Sequence, residues 1–272
     1  MKIGFIGAGN MGGAILKGAL AKKFLKPEEI MISDVNTDLC SKWNQIDHIK
    51  VAASNAELAQ NCEWVVLAVK PVFLADVLTE INPFLHQNQK VISIAAGWSM
   101  RMLMDAMGEN GVELLRVMPN TPALVGEGLI ALCEETTLNA DAFQWAKSLF
   151  ATLGVVQIIP ERLMDAVIAV SGSSPAYVFM FIEAMADAAV KLGMPRQMAI
   201  ECAAQAVMGS AKMVLETKLH PAVLKDQVCS PGGTTIEAVQ SLEENGLRGA
   251  VMKAMSACAE KSNQMTQGSS KK

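Results

Sequence analysis

The sequence has few histidines, few aromatic residues and no long run of basic residues. Only 3 of its 272 residues are histidine, 5% are aromatic, and the net charge is −4. Nucleic-acid-binding domains usually carry a concentrated basic patch. This composition therefore argues against nucleic acid as the main partner.

The cysteines and histidines are too widely scattered to suggest a metal or redox site. Six cysteines occur at positions 40, 62, 133, 202, 229 and 258, and no two lie at the close spacing typical of such sites. We expect no metal and reduced thiols, as is common in the cytosol. The first predicted strand begins at residue 2, which leaves no room for a signal or transit peptide. We therefore expect a cytoplasmic protein.

Charged residues are also scarce, at 18%, whereas 51% of the residues are hydrophobic. A chain of this composition is not disordered, and its length suffices for two domains with a large core. The most apolar predicted helix, roughly residues 175–190, is too short to span a bilayer and contains Glu183 and Asp187. We therefore expect no membrane partner.

The first twenty residues predict a dinucleotide-binding site. Lys2–Ile6 is typical of a buried parallel strand, and a helical pattern follows GAGNMG, a G-x-G-x-x-G sequence. In such loops the first glycine allows a tight turn, the second allows close approach to a pyrophosphate, and the third allows helix packing. The helix start favours a phosphate; the alternative is a glycine-rich turn without a ligand. The predicted coenzyme contacts here are Gly7, Gly9, Asn10, Met11 and Gly12.

The end of the second predicted strand bears on coenzyme choice. Asp34 lies 22 residues after Gly12, near the position where an acid binds the adenosine ribose hydroxyls. This spacing favours NAD, whereas Ser33 and Asn36 could hydrogen-bond a 2′-phosphate. An alternative role for Asp34 is the N-cap of the next helix.

Six further apolar runs are predicted strands, near residues 51–52, 63–69, 90–97, 113–118, 129–133 and 155–159. Eight strands, most alternating with helices, predict a doubly wound α/β domain of the Rossmann type over residues 1–161. Residues at the carboxyl ends of parallel strands face the ligand crevice, although Lys70 could equally be a solvated surface charge. A capping box is predicted at residues 54–57, and the 119–122 loop is a predicted nicotinamide wall. The further predicted coenzyme contacts are Ser33, Asp34, Asn55, Val69, Lys70, Pro71, Ala95, Gly97 and Asn120.

Residues 162–272 predict an all-helical domain. No convincing strand signal follows Met164, and ten alanines between residues 176 and 211 allow close helix packing. These helices are apolar nearly all round, which implies burial on several sides. A domain of this size has too little interior for that, so we expect a homodimer. The polar tail after about Met265 is expected to be disordered.

The sequence SPGGTT predicts a second site. Two glycines with accessible N–H groups and three hydroxyls at a helix start form a cradle sized for a carboxylate. An ordinary capped helix start is the alternative. The predicted substrate contacts are Ser230, Gly232, Gly233, Thr234 and Thr235.

The chain resembles the pyrroline-5-carboxylate reductase family over essentially its whole length. The motifs that carry the resemblance are FIGAGNMGGAI, AVKP, RVMPNTPALV, SGSSPAYVF and LKDQVCSPGGTTIEAV. It implies a Rossmann domain, an all-helical dimerisation domain and reduction of the cyclic imine to L-proline. Ser230, Gly233 and Thr234 would hold the substrate carboxylate, and Thr235, the catalytic candidate, would hydrogen-bond the ring nitrogen.

The resemblance also implies an interlocked homodimer, and in several members of the family such dimers assemble into decamers. It further implies the family's usual preference for NADPH. Many members carry an Arg or an extra Ser after the second strand, where this chain has SDVN at residues 33–36. NADPH and NADH therefore both stay open.

Two other functions are weighed against this one. A β-hydroxyacid dehydrogenase needs a strong proton donor, a lysine on the first long helix of its second domain, but residues 164–190 contain no lysine. A coenzyme-binding sensor without catalysis would have no need for a carboxylate cradle.

Overall fold

The computed structural model describes residues 2–269, apart from the side chains of Ile46 and residues 267–269. The chain forms two compact units. One comprises the chain up to Ser173 together with the part from Cys258, and the other is Ser174–Ala257. The second unit is thus an insertion into the first. The predicted division between residues 161 and 162 stays a prediction about where the functional domains meet.

The first unit contains one eight-stranded sheet, which confirms the eight predicted strands. The strands are β1 Ile3–Ile6, β2 Ile30–Ser33, β3 Lys50–Val51, β4 Trp64–Leu67, β5 Lys90–Ser93, β6 Glu113–Met118, β7 Gly128–Cys133 and β8 Gly154–Ile159. Their order is β3-β2-β1-β4-β5-β6-β7-β8. The strand order changes direction at β1, which lies between β2 and β4, and ligands bind at such switch points of doubly wound sheets.

All neighbouring strands are parallel except β6 and β7. A parallel return needs a crossover of about a dozen residues or more. Only residues 119–127 separate β6 from β7, and they include a short 3-10 helix, Thr121–Val125. The chain therefore reverses direction here.

Helices cover both faces of the sheet, which confirms the doubly wound α/β fold. They are α1 Asn10–Ala21, α2 Thr37–Asp47, α3 Asn55–Asn61, α4 Leu74–Ile81, α5 Met100–Met107, α6 Ala140–Phe150 and α7 Met164–Val167, the last followed by a π-helical turn, Ile168–Gly172. Alternate residues of β4 face opposite sides: Trp64 and Val66 join one hydrophobic cluster, and Val65 and Leu67 the other. A strand that is buried on both faces has a continuous run of apolar residues. The strand can therefore be predicted well from its sequence.

The second unit is helical, as predicted. Its helices are α8 Ser174–Lys191, α9 Arg196–Thr217, α10 Pro221–Val228, α11 Thr234–Glu244 and the first part of α12 Leu247–Ser269. Gly193, with φ of 98°, lies in the turn between α8 and α9. Ala186 of α8 and Ala199 and Ala203 of α9 are buried, so small side chains allow the two helices to pack closely.

The tail expected to be disordered after about Met265 is helical as far as Ser269. That part of the expectation is wrong, because α12 runs on for a further turn. Residues 270–272 lie outside the described residues.

The expectation that the most apolar helix is too short to span a bilayer is also wrong. The helical stretches Glu161–Lys191 and Arg196–Thr217 both have the length and apolar composition of a membrane span. The first is longer than predicted because α7, the π-helical turn and α8 are continuous. Only 22% and 11% of their apolar windows are buried in the single chain. Length and composition alone therefore leave these apolar faces open to a membrane or to another chain.

All six cysteines are free thiols. Burial raises the pKa of the Cys62 thiol to about 11 and that of the Cys133 thiol to about 12. A thiol is nucleophilic only as the thiolate. These two residues are therefore unreactive near neutral pH.

Candidate active site

Two glycines of the GAGNMG loop stand where no side chain fits. Gly7 has φ of 95°, and a Cβ on it would lie 2.7 Å from the carbonyl oxygen of Ala68, just after β4. A Cβ on Gly12 would overlap the carbonyl oxygen of Gly7. The predicted reasons for these glycines, a tight turn and close packing of α1, are confirmed.

The remaining glycine of the loop, Gly9, faces open space. A Cβ on Gly9 would have no neighbour within 4 Å, and Gly9 and Asn10 are exposed while Met11 is half-buried. Gly9 is the N-cap of α1, where no side chain caps the helix and the first turn holds no acidic residue. The first N–H groups of a helix lack partners within the helix. This loop therefore fits a phosphate group.

Asp34 contacts this loop. Its Oδ2 accepts a hydrogen bond of 2.8 Å from the N–H of Ala8, and its Oδ1 accepts one of 2.9 Å from the N–H of Asn36. The N-cap of α2 is Asn36, which accepts from the N–H of Leu39. The alternative that Asp34 caps this helix is therefore wrong. Its half-buried carboxylate holds the glycine loop against the end of β2.

Ser33 and Asn55 lie together beside Asp34. The Ser33 hydroxyl donates a hydrogen bond of 2.7 Å to Oδ1 of Asn55, whose Nδ2 donates one of 2.7 Å to Glu80. Ser54 caps α3 as predicted, but the Glu57 carboxylate accepts from the N–H of Ala53 and not of Ser54. The predicted capping box is therefore only half correct.

The loops after β4 and β5 meet at the same edge of the sheet. The Trp98 indole N–H donates a hydrogen bond of 3.3 Å to the carbonyl of Pro71, which joins the two loops. Val69 is half-buried and Lys70 is exposed, and Ala95 is buried. Gly97 is buried as well. Met265 packs against it, since a Cβ placed on Gly97 would lie 3.4 Å from Cβ of Met265.

Asn120 already has a structural role. Its side chain is buried; Nδ2 donates a hydrogen bond of 3.1 Å to the carbonyl of Ser171, and Oδ1 accepts one of 2.9 Å from the N–H of Leu129. It therefore connects the loop after β6 with β7 and the π-helical turn. Its predicted contact with a nicotinamide ring stays a prediction.

A buried ion pair was missed from the sequence. The Arg116 guanidinium, 4% exposed, donates a hydrogen bond of 2.8 Å to Glu161, which also accepts from the N–H of Met100 at the start of α5. The partners are 45 residues apart, and no spacing rule connects them. The pair holds the beginning of the segment that leads into α7 against β6.

The SPGGTT loop forms an uncapped helix start in the second unit. Gly232 has φ of 64° and open space around its Cβ position, and the N–H of Gly233 donates a hydrogen bond of 3.0 Å to the carbonyl of Ser230. Gly233 is the N-cap of α11, and no side chain caps this helix. The alternative of an ordinary capped start is therefore wrong. Thr234 is exposed and Thr235 half-buried, so their N–H and hydroxyl groups can meet an anion.

The two predicted sites thus lie in different units. Among the residues that the structure describes, no group of three or more His, Cys, Asp or Glu side chains is placed to hold a metal. Near the second site, a hydrogen bond from Lys225 to Asp226, 2.8 Å long, raises the pKa of the Lys225 ammonium. Lys225 is therefore a fixed positive charge near neutral pH.

Comparison with known proteins assigns the family. A family model described as pyrroline-5-carboxylate reductase dimerisation matches residues 161–265. A pyrroline-5-carboxylate reductase of Escherichia coli (strain K12) is 48% identical over 97% of this chain and 98% of its own. The chain belongs to the pyrroline-5-carboxylate reductase family.

Other matches agree with this family. A pyrroline-5-carboxylate reductase of Methanosarcina acetivorans is 42% identical over 97% of each chain. The crystal structure of Plasmodium falciparum pyrroline carboxylate reductase with NADP bound covers 98% of each chain, with a TM-score of 0.88 and 35% identity. A second model, described as NADP oxidoreductase coenzyme F420-dependent, matches residues 2–97. The similarity to pyrroline-5-carboxylate reductases thus covers both units of this chain.

Proposed function

We propose that this chain reduces 1-pyrroline-5-carboxylate to L-proline with NADPH or NADH, the last step of proline biosynthesis. The observation that carries the proposal is the pair of uncapped, glycine-built helix starts, at Gly9 and at Gly233. One fits the pyrophosphate of a dinucleotide, and the other fits the carboxylate of a small acid. Membership of the family supports this reading.

The SPGGTT loop orients the substrate. The N–H groups of Gly232 and Thr234 and the hydroxyls of Ser230 and Thr234 hold the carboxylate beside Gly233, whose own N–H is bonded to the Ser230 carbonyl. The Thr235 hydroxyl hydrogen-bonds the ring nitrogen. The bound coenzyme supplies the hydride, so the protein has to orient the imine and exclude water. Orientation alone can lower a barrier by roughly 7–11 kcal/mol. A protonated imine is already electrophilic, which is why a hydroxyl suffices where a ketone reductase needs a lysine.

The residues predicted from the sequence, along the carboxyl edge of the sheet, would hold the coenzyme. Ser33, Asp34 and Asn55 would hold its adenosine end. The Asp34 carboxylate favours the free ribose hydroxyls of NADH, and a 2′-phosphate would have to compete with Asn55 for the Ser33 hydroxyl. NADPH is the family's usual coenzyme. The proposal therefore includes both NADPH and NADH.

The chain functions as a homodimer through its helical domain, and these dimers can assemble further into a decamer. A groove of about 660 Å³ runs between α8 and α9. Its lining is mostly apolar, with Phe179, Met180 and Ile200, but it also includes the charged residues Glu183, Asp187 and Arg196. Most large apolar side chains of this unit are exposed in the single chain. Obligate interfaces resemble a domain core cut in half. Sedimentation velocity at micromolar concentration is expected to give a dimer or larger species; a monomer would contradict this assembly.

The remaining sequence-based expectations are part of the proposal. The coenzyme domain is residues 1–161 and the helical substrate domain residues 162–272. The enzyme is cytoplasmic, as its six free thiols suggest. It has no nucleic-acid or membrane partner, since the second chain of the dimer covers the apolar helices.

The test is loss of reduced-nicotinamide absorbance with pyrroline-5-carboxylate, measured separately with NADPH and with NADH. We expect turnover with at least one of them, and the ratio of kcat/KM values shows whether Ser33 or Asp34 dominates at the adenosine end. Coenzyme binding without turnover would contradict the reductase and favour a coenzyme sensor.

A further inference from the structure

The last part of α12 lies against the first unit along one face. Cys258, Ser262 and Met265 are spaced by four and three residues, so they share one side of the helix. We call these three residues the terminal stripe. Each contacts a different segment of the first unit, and together they fix the end of the helix on it.

The first two contacts are polar. The Cys258 thiol donates a hydrogen bond of 3.2 Å to the Ser173 hydroxyl, just after the π-helical turn. The Ser262 hydroxyl, buried at 6% exposure, donates one of 2.6 Å to Oδ1 of Asp165 in α7. Asn263 donates to the other Asp165 oxygen, at 3.4 Å. These bonds set the position of the helix along its own axis.

The third contact reaches the predicted coenzyme edge. Cβ and Cε of Met265 lie 3.4 and 3.7 Å from the position that a Cβ would take on Gly97. Gly97 has φ of 76°, belongs to the loop after β5, and is buried under this contact. The next residue, Trp98, is bonded to Pro71 in the loop after β4. Met265 therefore packs on a segment that joins two of the loops at this edge.

We propose that Met265 is a positioning residue for coenzyme binding, acting through Gly97 on the loop formed by residues 95–98. The proposal rests on the proposed function, which places the coenzyme at Ala95 and Gly97. Gly97 has no side chain of its own to hold this left-handed turn in place. The Met265 side chain packs against this side of the turn at van der Waals distance, and the Ser262–Asp165 bond keeps it there.

Met265→Ala tests the proposal. The truncation keeps the Cβ contact but removes the rest of the side chain, including Cε at 3.7 Å, so the loop gains freedom that coenzyme binding has to remove. We expect the Kd for NADPH and NADH to rise about tenfold, equivalent to about 1.4 kcal/mol. The KM for pyrroline-5-carboxylate should stay within about twofold, because the substrate loop lies elsewhere in the chain. The Kd is measured by quenching of tryptophan fluorescence, since Trp98 belongs to this loop.

Two variants serve as controls. Met265→Leu keeps an apolar side chain of similar volume and is expected to bind coenzyme within about twofold of the unchanged protein. Gln264→Ala changes the neighbouring exposed residue of the same helix turn and should have no effect. Should Met265→Ala fail to fold, Ser262→Ala takes its place, since it loosens the same helix end without altering Met265.

An unchanged coenzyme Kd in Met265→Ala would overturn the proposal. Equal increases in both KM values with a lower melting temperature would also overturn it, because they indicate a merely structural role. Coenzyme Kd is measured without substrate. If the unchanged protein binds coenzyme but does not reduce the imine, the proposed function fails, and the Kd comparison still decides the role of Met265.

Discussion

Thr235→Ala is expected to lower the turnover of pyrroline-5-carboxylate by about 10- to 100-fold while coenzyme Kd stays unchanged. Thr235 lies in the first turn of α11, which no side chain caps, and its hydroxyl is the group proposed to guide the proton on the ring nitrogen. Loss of one positioned hydrogen bond costs roughly 1.5–3 kcal/mol. Steady-state kinetics at saturating coenzyme measure the loss directly.

Thr235→Ser is the matched control, because it keeps the hydroxyl and removes only a methyl group. It should retain turnover within about threefold, whereas Thr235→Val, which keeps the shape and loses the hydroxyl, should resemble the alanine variant. Alanine and valine variants as active as the unchanged protein would show that the hydroxyl does not act on the nitrogen.

Gly12→Ala is expected to weaken coenzyme binding by about 100-fold and to lower stability as well. The added Cβ would overlap the carbonyl oxygen of Gly7, a backbone atom that cannot move without shifting the loop. Overpacking of this kind costs about 1–3 kcal/mol, and the upper end of that range corresponds to about 100-fold in Kd. Thermal unfolding and coenzyme titration measure the two effects on the same sample.

Gly9→Ala separates binding from folding. Its Cβ would meet nothing within 4 Å, so the melting temperature should stay unchanged. The added methyl group would stand where the pyrophosphate is proposed to approach the backbone, and coenzyme Kd should therefore rise. If Gly9→Ala bound NADPH and NADH as tightly as the unchanged protein, the pyrophosphate could not lie over Gly9.

The strands and long helices could be predicted because their signals are local. Val65, Val66 and Leu67 stand in a continuous apolar run, which a doubly covered sheet requires, and Gly193 marks a helix end with a positive φ. The reversal between β6 and β7 was not predicted, although residues 119–127 are too few for a parallel crossover.

Contacts between distant segments could not be predicted in this way. Asn120 bonds to Ser171, 51 residues away, and Met265 covers Gly97, which the sequence assigned to close approach of a ligand. Asp34 and Asn36 are both good N-cap residues, and only the fold reveals that Asp34 contacts Ala8. Local pattern thus indicates candidate residues for the site, whereas tertiary packing decides what each of their side chains contacts.

The insertion of residues 174–257 into the first unit has a consequence for the order of synthesis. A ribosome makes the chain from the N-terminus, and domains generally fold as they emerge. All eight strands are made by Ile159, whereas the terminal stripe follows about a hundred residues later. During that interval Asp165, Ser173 and Gly97 lack their contacts with the terminal stripe. The first unit therefore begins to form before the second, but it is completed only after the second has been made.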